Sequence, residues 1–154
     1  MWLMADLSIN KLSEKDMINA YRFIYIFENE VYPNYGTFDF NSPEINNFCQ
    51  EHRIQKKDKR NSKPRDNYFW FDSIKIQGAL NNDYAHNFLR HVRNAIAHGN
   101  FKKVRGKKPF YIIEDYNKNS VQTMFGKIHT DIFWEYLNIV LHTSQAINKN
   151  ITFK

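Results

Sequence analysis

Phe88-Leu89-Arg90-His91-Val92-Arg93-Asn94-Ala95-Ile96-Ala97-His98-Gly99-Asn100-Phe101 is the most informative stretch of the 154-residue chain. It reads as the greater part of a helix that Asn81-Asn82-Asp83 opens at Tyr84 and Gly99 closes at the C′ position. At about 100° per residue, with Arg93 at zero, Ala85, Phe88, Leu89, Val92, Ala95 and Ile96 fall between about 200° and 320°. That arc is a core-facing stripe. His86, Asn87, Arg90, His91, Asn94 and His98 fall with Arg93 between about 0° and 160°, and Ala97 is their only apolar companion. A solvent-facing helix usually mixes Lys with Glu, whereas this acid-free arc suits a phosphodiester. Arg offers a rigid fork of donors to phosphate oxygens. His titrates near neutrality and passes a proton in either direction. The plainer reading of the same spacing is a surface helix with a terminal histidine.

Outward from this helix the pattern stays mostly helical. Ser13, with Asp16 three residues on, caps a helix to Tyr32 in which Met17, Ala20, Tyr21, Ile24, Phe27 and Val31 recur at helical spacing. Ser42-Pro43-Glu44 reads as a second start, with Ile45 and Phe48 facing the core. Asn67 to Leu80 suits either a buried helix or strands, since Phe69-Phe71 and Ile74-Ile76 alternate; its helical neighbours favour a helix. Phe110 to Ile113 and Val121 to Phe125 flank the polar turn Asn117-Lys118-Asn119-Ser120 and read as a β-hairpin. A last helix is expected from Lys127 to Asn148. These elements predict one domain over residues 1–154, an all-α bundle with a small hairpin inserted before its final helix.

Composition narrows the function. A chain 42% hydrophobic and 16% aromatic can build a core. The net charge of +6 is concentrated: residues 53–65 alone carry +6, Lys102 to Lys108 carry +5, and the remainder is −5. Such clustering is expected of a chain whose partner is a polyanion, with solvated loops as the alternative. Arg53, Lys56, Lys57, Lys59 and Arg60 in the first cluster, and Lys102 and Lys103 in the second, are the candidate contacts for such a polyanion. The single Cys49 excludes a disulfide framework and a Cys-rich zinc site, and reads as a small buried hydrophobe. His86 and His91 lie roughly 140° apart on their helix, a poor zinc pair, so no metal or other cofactor is expected. No apolar run approaches the roughly 18 residues of a membrane span. Met1 to Asp6 lacks the basic n-region of a signal peptide, so a cytoplasmic protein is expected. Tyr68-Phe69-Trp70-Phe71 reads as core before it reads as a base-stacking platform.

Arg93-Asn94-Ala95-Ile96-Ala97-His98 resembles the R-x4-H motif of HEPN-domain proteins, with the polar residue they favour directly after the Arg. The wider run through Gly99, Asn100 and Phe101 is similar to HEPN nucleases of bacterial and plasmid-borne genes. The resemblance implies a four- to five-helix bundle, dimeric through the motif helix. It further implies a metal-independent endoribonuclease in which 2′-hydroxyl attack leaves a 2′,3′-cyclic phosphate. By position, Arg93 would hold phosphorane charge, His98 would move the proton and Asn94 would orient them. Arg90 and His91 share the arc and are candidate RNA contacts outside the motif. The settings implied are toxin–antitoxin pairs, with an antitoxin protein as partner, and phage defence. Some HEPN domains only bind RNA, nucleotides or proteins, which is the alternative function.

Overall fold

The computed structural model describes residues 12–56, 67–74 and 84–154. Its first helix, α1, spans Glu14–Ile26 and begins with a complete capping box. Asp16 N donates to Ser13 Oγ at 3.1 Å, and Ser13 N donates to Asp16 Oδ2 at 3.0 Å. The helix continues through a π-helical turn at Phe27–Val31 and a 3-10 turn at Tyr32–Asn34, where Pro33 ends it. Ala20, Phe23, Ile26 and Phe27 are buried, whereas Met17 and Tyr21 of the expected stripe face solvent. Helix α2, Pro43–Glu51, starts as expected, with Ser42 Oγ accepting from Ile45 N and Pro43 in the first turn.

The all-α expectation is overturned. Five strands form one mixed sheet: β1 Ile54–Lys56, β2 Asn67–Phe71, β3 Phe101–Val104, β4 Phe110–Tyr116 and β5 Gln122–His129. Their spatial order is β1-β2-β5-β4-β3, with β1 parallel to β2 and every other pair antiparallel. The expected hairpin is present as β4–β5, but it forms the middle of a sheet rather than an insertion in a bundle.

The helix expected from Asn67 is, over its described part, strand β2. This strand lies between β1 and β5, and Asn67 to Trp70 are all buried. A strand covered on both faces is a continuous apolar run, which periodicity cannot tell from a buried helix. The rest of that segment, residues 75–83, lies outside the described residues, as does the expected cap at Asn81-Asn82-Asp83. The final helix is also shorter than expected. Lys127 and Ile128 belong to β5, where Ile128 faces Tyr111 across the ladder, and α4 spans only Thr130–Leu141. Ile128 and Ile132 are four apart in sequence, a helical spacing, yet they sit on either side of a strand–helix corner.

Register explains the core. Phe69, Gly126, Ile113 and Phe101 form one row across four strands, and Phe71, Met124 and Asp115 form the next inward row over three. Helix α3, Tyr84–Ala97, packs on this face through Phe88, whose ring lies 4.9 Å from that of Phe69. Helix α4 packs beside it, with Phe133 against Phe101 and Tyr111. Helix α1 closes the layer through an interior polar chain. Trp134 Nε1 donates to the Tyr111 hydroxyl at 3.0 Å, that hydroxyl donates to Asp16, and Lys103 Nζ reaches Asp16 Oδ2 at 3.0 Å. Burial pushes the Asp16 carboxyl up, but the bonds from Tyr111 and Lys103 outweigh it and hold the group below its ordinary range.

Candidate active site

Helix α3 positions the site. Ala85, Phe88, Leu89, Val92 and Ala95 are buried, as the stripe requires. Its C-terminus is a Schellman turn: Asn100 N donates to Ala95 O at 2.8 Å and Gly99 N to Ile96 O at 3.2 Å. Gly99 holds φ +75°, and a Cβ there would meet nothing within 4 Å, so its backbone conformation rather than space demands glycine. The turn sends Asn100 and Phe101 into β3 and leaves His98 exposed at the helix end.

The polar arc is not one open face. His86, Asn87 and His91 are fully buried, Arg90, Arg93 and Asn94 are half-buried, and only Ala97 and His98 of the arc are exposed. The buried members form a frame. Asn87 brackets the backbone after β2, accepting from Ile74 N at 3.0 Å and donating to Ile74 O at 3.1 Å. Arg90 Nη2 donates to Asn87 Oδ1 at 3.0 Å. His91 Nδ1 donates to Asp115 Oδ2 at 2.8 Å; its Nε2 lies 2.6 Å from the Asp72 carbonyl and 3.1 Å from Arg90 Nη2. With Nδ1 donating to the carboxylate, Nε2 of the neutral ring accepts from the guanidinium, and it donates to the carbonyl only when the ring carries both protons.

From this frame the contacts lead outward to the motif. Asn94 Nδ2 donates to Asp115 Oδ2 at 3.2 Å, and Arg93 Nη1 donates to Asn94 Oδ1 at 3.3 Å. Arg93 Nε and Nη2 each lie 3.0 Å from Glu28 Oε1 on the π-helical turn after α1. His98 makes no side-chain hydrogen bond or ion pair among the described residues. Burial raises the Asp115 carboxyl, but the bonds from His91 and Asn94 more than reverse this and hold it ionised below its ordinary range. Burial, reinforced by the Arg90 charge, drives His86 down to about 4, so this ring is neutral at pH 7. The Tyr35 ring stands edge-on to it, 3.5 Å between centroids.

Of the motif trio, Arg93 and Asn94 are in contact, while His98 lies one turn on with its ring free to meet a ligand. Arg90 and His91 sit behind them, and His91 cannot touch RNA from its buried position. Lys103 is held by buried Asp16, whereas Lys102 is half-buried on β3 and Arg53 is exposed. Lys57, Lys59 and Arg60 lie outside the described residues, and only the backbone of Lys56 is described, in β1. Sequence reasoning missed Glu28 and Asp115. Alternation from Tyr111 and Ile113 marks Asp115 as an inward carboxylate, a legible signal; nothing local marks Glu28. Among the described residues, no group of three or more His, Cys, Asp or Glu is arranged to hold a metal.

The HEPN pEK499 p136 family matches residues 10–150. This chain belongs to that family. No curated protein and no solved structure matches it. The resemblance drawn from Arg93 to His98 is thus a family membership, and the protein contains a HEPN module. The Arg93–His98 stretch lies where a helix layer meets a sheet, with strand β4 supplying Asp115 to Asn94. No described helix is long and apolar enough to cross a membrane.

Proposed function

We propose that this HEPN protein is a metal-independent endoribonuclease. One observation carries the reading: the two residues needed for chemistry, Arg93 and His98, reach the surface, while their neighbours on the same helix form a buried polar frame behind them. The substrate 2′-oxygen attacks the adjacent phosphorus and the 5′-oxygen leaves, giving a 2′,3′-cyclic phosphate and a 5′-hydroxyl. His98 moves the proton, taking it from the 2′-hydroxyl or returning it to the leaving oxygen. Arg93 balances the charge that grows on the phosphorane oxygens. Asn94, fixed by Asp115, orients the guanidinium.

One histidine cannot be both base and acid in a single concerted step. Two chains meeting near the end of α3 supply two, and we propose a homodimer through that helix. Exposed Ile18, Tyr21 and Tyr25 of α1 form a stripe that runs toward Glu28, beside Arg93, and offer apolar area for such a contact. We further propose action in the cytoplasm, in a toxin–antitoxin pair or phage defence, with an antitoxin protein as partner. The Glu28–Arg93 pair favours the second reading, a HEPN module that binds RNA, nucleotide or protein without cutting, because it occupies the catalytic guanidinium.

A labelled single-stranded RNA decides between the two readings. Wild type should cut it in EDTA, leaving cyclic phosphate ends, and His98→Ala should not. Absence of cutting by wild type, or equal cutting by His98→Ala, leaves the binding module. Activity that disappears in EDTA rejects the metal-free mechanism.

A further inference from the structure

At the end of the sheet opposite the motif, Arg53 of the first basic cluster meets Lys107 and Lys108 of the second. Arg53 follows the C-cap of α2 there, and Lys107 and Lys108 lie in the β3–β4 connection beside it. Together with His52 and His129 they line a cleft of about 480 Å³. Among the described residues its acids are Glu51 and Asp131. The described residues hold three ion pairs, and none includes Arg53, Lys107 or Lys108. All three cations are exposed and, among the described residues, have no ion-pair partner, in contrast to Arg93 and Lys103.

The cleft is built rather than incidental. Buried Asn67 clamps two of its walls, donating from Nδ2 to His52 O at 3.0 Å and accepting at Oδ1 from His129 N at 2.8 Å. Thr130 N donates to Pro109 O at 3.1 Å, pinning the third wall, the Lys107–Lys108 turn, to the start of α4. His129 is the N-cap of this 12-residue helix and makes no side-chain cap bond. Arg53 occupies the position after the α2 C-cap with φ +53°, a conformation that favours glycine. A long cationic side chain therefore stands at a strained backbone position. Backbone strain of this kind concentrates at ligand sites.

We infer that this cleft is a second phosphate-binding site, which holds the backbone of the RNA that the motif acts on. Phe110, at the cleft end of β4, and Asp115, at the motif end, are five positions apart, or about 17 Å at the rise of an extended strand. One RNA strand can therefore engage both ends, the cleft reading charge and the motif doing chemistry. The choice of RNA as ligand rests on the nuclease reading; the affinity for phosphate does not.

The test uses full-length His98→Ala protein, which leaves RNA uncut, and a fluorescent single-stranded RNA titrated at several salt concentrations. Replacing Arg53, Lys107 and Lys108 by Ala should weaken binding and flatten the log–log salt dependence by about 2, at roughly 0.7 per lost contact. In the active background the same triple variant should raise KM and leave kcat unchanged. Arg53→Gly separates function from folding, because it should raise the melting temperature while lowering RNA affinity. An unchanged salt slope, or an Arg53→Gly protein that binds RNA as wild type does, overturns the inference. ATP is the second probe. If ATP binding needs the three cations while RNA binding does not, the ligand is a free nucleotide and the RNA assignment is overturned. If wild type cuts no RNA but the triple variant still flattens the slope, the nuclease reading fails and the cleft stands.

Discussion

The two ends of the sheet handle positive charge in opposite ways. At the motif end every cation has an anion or amide: Arg93 meets Glu28 and Asn94, and Arg90 meets Asn87. At the other end Arg53, Lys107 and Lys108 are exposed and have no ion pair among the described residues. Paired and half-buried groups are fixed before a ligand arrives, and fixed dipoles and charges suit a transition state. Unpaired surface charges are mobile and screened by salt, which suits capture of a polyanion over a range of sequences. The comparison predicts that motif-end substitutions change rate and stability steeply, while cleft substitutions change affinity and salt dependence.

The largest effect should come from His98. His98→Ala removes no buried contact, so the melting temperature should hold, while cleavage falls by on the order of 10² to 10⁴. Arg93→Ala should lose a similar factor and also bind RNA more weakly. Single-turnover cleavage beside RNA anisotropy checks both. A His98→Ala protein that unfolds, or that loses binding as much as rate, breaks the division between the two ends.

Next comes Asp115, which holds His91 and Asn94 at once. Asp115→Ala leaves a buried imidazole and a half-buried amide without their acceptor, and should cost about 3 to 5 kcal/mol in urea unfolding. Asp115→Asn keeps an acceptor and should cost less. Equal losses for the two variants would mean that His91 and Asn94 draw nothing from the acceptor oxygen.

His86 sharpens the same contrast through pH. Its folded value of about 4 lies below the ordinary 6.5, so the unfolded chain takes up this proton first. The neutral ring costs nothing above pH 7. Stability should decline as pH falls through 6.5, reach a loss of about 2 kcal/mol at pH 5, and level off below 4. His86→Gln should abolish this part of the decline. Denaturant midpoints at pH 7.5 and 5 measure it; an equal decline in the variant would assign the pH dependence to other groups.

Residues whose neighbours are close in sequence were legible. The Ser13 and Ser42 caps, the Gly99 turn and the core stripe from Ala85 to Ala95 all follow from spacing, whereas the family was legible only through the resemblance of Arg93 to His98. The all-α architecture failed where long-range pairing decides. Asn67 to Phe71 became a strand because β5 and β1 flank it, partners that no local pattern announces. The polar arc of α3 failed for the same reason. His86, Asn87 and His91 look solvent-facing on a helical wheel, but an inward carboxylate 24 residues on and a backbone carbonyl after β2 satisfy His91 in the interior.

Glu28 gives the smallest effect, and it decides what the paired arrangement is for. The Glu28 side chain is 47% exposed and that of Arg93 32%, so in water the pair contributes about 0 to 1 kcal/mol. Glu28→Gln should therefore leave the melting temperature within a degree or two. It should also free the guanidinium for phosphate, since a ligand no longer has to displace a carboxylate. The expected result is tighter RNA binding, by a factor of a few, with the gain growing at low ionic strength, where repulsion between Glu28 and phosphate is least screened. If Glu28 instead aims Arg93 at the scissile phosphate, the same variant binds as well as wild type and cuts more slowly. A kcat that falls with KM unchanged assigns Glu28 to positioning, whereas a falling KM with kcat unchanged makes it a competitor that the RNA must displace.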